Sequence, residues 1–61
     1  MYELSIFIWS DYSVNELTKV YKTFRGAKNK GAYYCKRFIQ EGKKANYIIC
    51  ENGRPVFERK F

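Results

Sequence analysis

Chemistry in this chain is limited first by the side chains it lacks. The 61 residues include no histidine, which removes the commonest general base and the commonest metal ligand. Ser-His and Cys-His nucleophile pairs are therefore impossible. The two cysteines, Cys35 and Cys50, stand fifteen positions apart and cannot complete a four-ligand zinc site within one chain that has no histidine. Gly26 and Gly31 lack the spacing and the Gly-Lys-Ser/Thr ending of a phosphate loop. The six acidic residues are scattered, with no paired-carboxylate spacing. The expectation is a protein that is not an enzyme, with no cofactor, no metal and no small-molecule substrate.

What the chain does carry is charge. Formal net charge is +6, and no acid occurs between Glu16 and Glu41. That window holds Lys19, Lys22, Arg25, Lys28, Lys30, Lys36 and Arg37. A field so uneven attracts polyanions or an acidic protein face; the alternative is a solvated basic surface without a partner. Within the window Lys30, Tyr33, Lys36, Arg37 and Gln40 fall on the outer side of a helical projection. Cations around one exposed Tyr suit a phosphate backbone with a base stacked on the ring, or an acidic protein surface. Lys19, Lys22 and Arg25 extend the candidate patch. A second candidate is Phe7 with Trp9, two aromatics on the strand face opposite the core, suited to covering a second small core, filling a dimer interface, meeting a protein or stacking on bases.

These residues need elements to hold them. Tyr2 to Trp9 alternates as a strand, with Tyr2, Leu4, Ile6 and Ile8 on the core face. Ser10 to Ser13 reads as a turn. The stretch from residue 13 to 24 is ambiguous. Ser13-Val14-Asn15-Glu16 matches a helix capping box, whereas Leu17 to Phe24 is rich in β-formers. We take it as a strand with Val20 and Phe24 inward and Lys19, Tyr21 and Thr23 opposite. Gly26 punctuates. Ala27 to Glu41 reads as a helix with Ala27, Gly31, Tyr34, Cys35, Phe38 and Ile39 on its buried stripe. Gly31 is expected to let that helix sit close to the sheet, and Gly42 to end it. Asn46 to Glu51 and Arg54 to Phe61 flank Asn52-Gly53, the strongest short-range hairpin signal. Pro55 marks the last strand as an edge.

The sum is an α+β domain spanning residues 1–61: a small antiparallel sheet with one helix across a face, in the order β-β-α-β-β. With a helical 13–24 segment it becomes β-α-α-β-β. A chain this short hides only ~60% of its unfolded surface, and six Tyr, five Phe and one Trp supply the burial. The cysteines read as reduced, buried small hydrophobes. No segment reaches the ~20 apolar residues of a membrane span, and no signal-peptide core is visible, so a cytoplasmic setting is expected.

In size and in its Lys-, Tyr-, Asn- and Ile-rich composition, the chain resembles the small accessory proteins that bacteriophages express to bind and redirect host factors. The resemblance implies a non-enzymatic inhibitor or adaptor in the host cytoplasm. The leading expectation is docking on an acidic protein surface. The alternative is a nucleic-acid-binding module built on residues 19–44, and a homodimer is also left open.

Overall fold

The computed structural model describes residues 1–61. Four strands and one helix follow in the order β1 (Tyr2–Trp9), β2 (Val14–Tyr21), α1 (Phe24–Gln40), β3 (Lys44–Glu51) and β4 (Arg54–Lys60). The strands form one antiparallel sheet in the order β2-β1-β3-β4. Both β2 and β3 run antiparallel to β1, so they are parallel to each other. The helix carries the chain across β1 between them.

Alternation along the central strands builds the core. Leu4, Ile6 and Ile8 of β1 oppose Ile49, Tyr47 and Ala45 of β3, and all six are buried. The helix meets them with Ala27, Gly31 and Cys35, one residue per turn. The helix lies close on the sheet at Gly31, where a methyl group would fall 2.9 Å from the Tyr47 ring. The expectation that Gly31 lets the helix settle on the sheet is met. Phe24 locks the helix start, with its ring edge-on to Tyr2 at 5.9 Å and to Phe57 at 5.7 Å.

Three local expectations are corrected. Val14–Tyr21 does form a strand, but it ends before Phe24, which starts the helix; Val20 points to the helix-free face, paired with Glu3, while Tyr21 faces the helix opposite Tyr2. Tyr21, Leu17 and Lys19 share the helix side because Leu17, packed on the core, fixes the register. Gly26 does not interrupt the chain. The helix starts three residues earlier than Ala27, because Thr23 caps it: Thr23 Oγ1 accepts from Gly26 N–H at 3.0 Å. The turn expected at Ser10 to Ser13 forms, closed by Ser10 N–H donating to Ser13 C=O at 2.9 Å, so the alternative capping box at Ser13 starts no helix. Ile39, expected on the buried stripe, is exposed because the helix packs over β1 and β3 rather than centrally over all four strands.

The remaining punctuation matches the sequence. Gly42 has φ +87°, and it and Lys43 donate to Ile39 and Phe38 carbonyls, a Schellman ending. Asn52 and Gly53 have φ 51° and 80°, the two left-handed residues of a tight hairpin, with Glu51 opposite Arg54 beside it. β4 is an edge, and a bulge between Ile49 and Cys50 sits opposite the residues after Pro55. No helix is long and apolar enough to cross a membrane.

Candidate functional site

The helix side of the molecule concentrates the charge, and on the β2 flank of α1 three cations gather around two tyrosines. Tyr33 is about half exposed and sits at the centre of a group. Arg37 Nη1 donates to Tyr33 Oη at 3.0 Å, one turn along the helix. The Arg37 guanidinium and the Lys30 ammonium lie 5.8 and 5.5 Å from the Tyr33 ring centre. Tyr34 packs edge-on against Tyr33 at 5.4 Å. Lys19, reaching from β2, places its ammonium 5.3 Å from the Tyr34 ring centre. Two elements therefore contribute to one cluster: three cations around two tyrosines.

Lys30, Tyr33, Tyr34, Arg37, Phe38 and Glu41 line a shallow groove of about 460 Å³ along this flank. The hydrogen bond from Arg37 lowers the Tyr33 pKa below its ordinary value, its positive charge acting in the same direction. The same contact raises that of Arg37. Glu41 at the groove's end adds a smaller pull on Arg37.

The seven cations of the acid-free window share one property: none is in an ion pair. The ion pairs in the fold are Lys43–Glu41 at 3.6 Å and Lys60–Glu58 at 3.5 Å. Both are exposed and contribute little. The seven do not converge on one point. Lys19, Lys30 and Arg37 flank the β2 side. Lys28 lies on the β4 side, 5.0 Å from the Phe57 ring centre. Arg25 and Lys36 occupy the outer crest by their helical positions, and Lys22 lies in the bend before the helix. Of the expected group, Lys30 and Arg37 gather at Tyr33 and Lys36 does not.

Phe7 and Trp9 are on the other side of the sheet, half-buried. By register Phe7 lies between Glu16 and Asn46, and Trp9 between Val14 and Lys44. That face also carries Glu3, Glu16, Glu58, Lys44 and Lys60 and is close to neutral. The two sequence candidates are therefore separate surfaces with the sheet between them. The cysteines are likewise divided: Cys35 is buried under the helix, Cys50 opposes Glu3 on the helix-free face, and both are free thiols. They do not meet.

Sequence reasoning missed Tyr34 and Phe38 as groove residues, because both count as apolar positions of the buried stripe. They lie at its edge, half-buried. The Tyr33-Tyr34 tandem, one residue outside the stripe and one inside, was the available signal. No group of three or more His, Cys, Asp or Glu gathers where a metal ion would bind. No protein-family model, curated protein or solved structure matches this chain.

Proposed function

We propose that this chain is a non-enzymatic binding protein that docks an acidic protein surface on the β2 flank of α1, acting as an inhibitor or adaptor. The observation that carries the reading is the cluster of Lys19, Lys30 and Arg37 around Tyr33 and Tyr34, with no carboxylate paired to any of the three cations. Tyrosine with arginine is the composition that protein interfaces favour at their energetic centres. Unpaired cations speed encounter with an acidic partner and fix its orientation.

Base stacking is the weaker reading, for a geometric reason. Lys30 and Arg37 both lie against the Tyr33 ring, and Tyr33 is already packed edge-on with Tyr34. A nucleobase would have to displace one of them. Phe7 and Trp9 offer other rings, but Phe7 neighbours Glu16, which repels phosphate. The helix crest remains available to a nucleic-acid backbone, so the two polyanions are separated by experiment. Tagged chain is used to capture protein from nuclease-treated extract, beside a Lys30→Glu/Arg37→Glu variant. A stoichiometric acidic protein held by the native chain and lost by the variant supports the reading. Recovery of nucleic acid alone, abolished by nuclease, replaces it with the nucleic-acid alternative.

A further inference from the structure

The two edges of the sheet are built differently. β4 carries Pro55, a bulge beside it that leaves Val56 unpaired, and Arg54, Glu58 and Lys60, the devices that stop an edge strand from pairing further. β2 lacks the first two and carries only two charges, Glu16 and Lys19. It runs eight residues in unbroken register with β1, without Pro, Gly or bulge. Its single lysine, Lys19, is turned against the Tyr34 ring. Val14 and Val20 project from its helix-free face, 77% and 57% exposed.

We propose that β2 pairs antiparallel with β2 of a second copy of this chain, joining two four-stranded sheets into one of eight strands. Residues directly opposed in an antiparallel ladder lie on the same face, so a two-fold pairing matches positions of equal parity. Centred on Leu17, it opposes Leu17 to itself, Val14 to Val20, Glu16 to Thr18 and Asn15 to Lys19. Both exposed valines gain an apolar partner, and no like charges stand opposed. Centred on Thr18 instead, the pairing sets Glu16 against Val20 and Leu17 against Lys19, and carries Val14 past the strand end. The self-complementary register commits the edge to a second copy rather than to an unrelated strand. The two-fold axis stands perpendicular to the sheet. Both helices then lie on one side, and the two Lys19–Lys30–Arg37 clusters flank the seam. Two copies at +6 repel, so salt strengthens the pairing by screening.

Sedimentation equilibrium of the isolated chain, at about 0.15 M and roughly 0.5 M salt, tests this without any ligand. The mass is expected to move from 7.3 kDa toward twice that with concentration, more readily at high salt. Val14→Lys/Val20→Lys, which opposes lysine to lysine, is expected to weaken association at least about tenfold with an unchanged circular-dichroism spectrum. To fix the register, Val14→Cys and Val20→Cys chains, each also Cys50→Ser, are oxidised singly and mixed. The mixture is expected to cross-link more than either chain alone. A monomer at every concentration, equal dimerisation of the lysine variant, or no excess cross-linking in the mixture overturns the proposal. It rests on β2 alone, whereas acidic-surface binding is read with Lys30 and Arg37, so either fails independently of the other.

Discussion

Gly31 is where a single atom decides the distance between helix and sheet. Adding a methyl there improves helix propensity by ~1 kcal/mol but drives it to 2.9 Å from three Tyr47 ring carbons. Such overpacking costs about 1–3 kcal/mol. Gly31→Ala is therefore expected to lower the thermal midpoint, whereas an unpacked helical glycine would raise it on the same change. Tyr47, the other half of that contact, buries a hydroxyl with no hydrogen-bond partner. Burial raises its pKa, and Arg59, outside hydrogen-bond geometry, pulls it partly back. Removing an unsatisfied buried hydroxyl is cheap. Tyr47→Phe is expected to keep stability within ~0.5 kcal/mol or to raise it, read by urea unfolding. A loss beyond about 1 kcal/mol would mean the hydroxyl is bonded after all.

Cys35 belongs to the same scale. Burial pushes its thiol up to about 11 from an ordinary 9.0, so the folded state holds the proton more tightly than the unfolded one. The stability this contributes is fully present below about pH 9 and disappears as pH rises through 11. Tyr47 and Tyr21, raised chiefly by burial, act in the same direction. Alkaline unfolding is expected to be eased by these groups together, and Cys35→Ala to flatten the loss between those pH values. A disulfide-exchange reagent is expected to label Cys50 in the native protein and Cys35 only after unfolding.

Elements form here because local signals and burial agree, and where they disagreed the sequence misled. The hairpin at Asn52-Gly53, the core face of β1 and the close approach at Gly31 were legible, since each rests on backbone conformation or strict alternation. The facing of β2 was not. Val14, Val20, Leu17 and Tyr21 are all suited to a strand, and only contact with β1 and the helix picks Leu17 and Tyr21 for the inner side. The helix start was misplaced because Gly26 is a weak helix former, yet the Thr23 cap outweighs it. Thr23→Ala is expected to cost ~1 kcal/mol, with Thr23→Ser nearly neutral. Equal costs for the two would show that the hydroxyl does not cap. The candidate site was half legible. Lys30, Tyr33 and Arg37 follow from helical spacing, but Lys19 joins them only through tertiary packing, and no periodicity distinguishes Tyr34 at the stripe's edge from a core residue.

At the scale of the whole molecule the sheet separates two electrostatic environments. One side bears Glu3, Glu16 and Glu58 with Lys44 and Lys60; the helix side and its flank bear Lys19, Lys28, Lys30 and Arg37, none in an ion pair. On the proposed reading an acidic ligand is oriented before contact, and its binding is expected to weaken with salt. The proposed self-association through β2 is expected to show the opposite salt dependence, so a single ionic-strength series separates the two. The central claim, that the β2 flank of α1 receives acidic protein, is tested most directly by a ¹⁵N-resolved nuclear magnetic resonance titration with a short polyglutamate chain. The largest shifts are expected at Lys19, Lys30, Tyr33, Tyr34 and Arg37, abolished in Lys30→Glu/Arg37→Glu while Lys28→Glu/Lys36→Glu retains them. Shifts spread evenly over all the cations, or centred on Phe7 and Trp9, would contradict it.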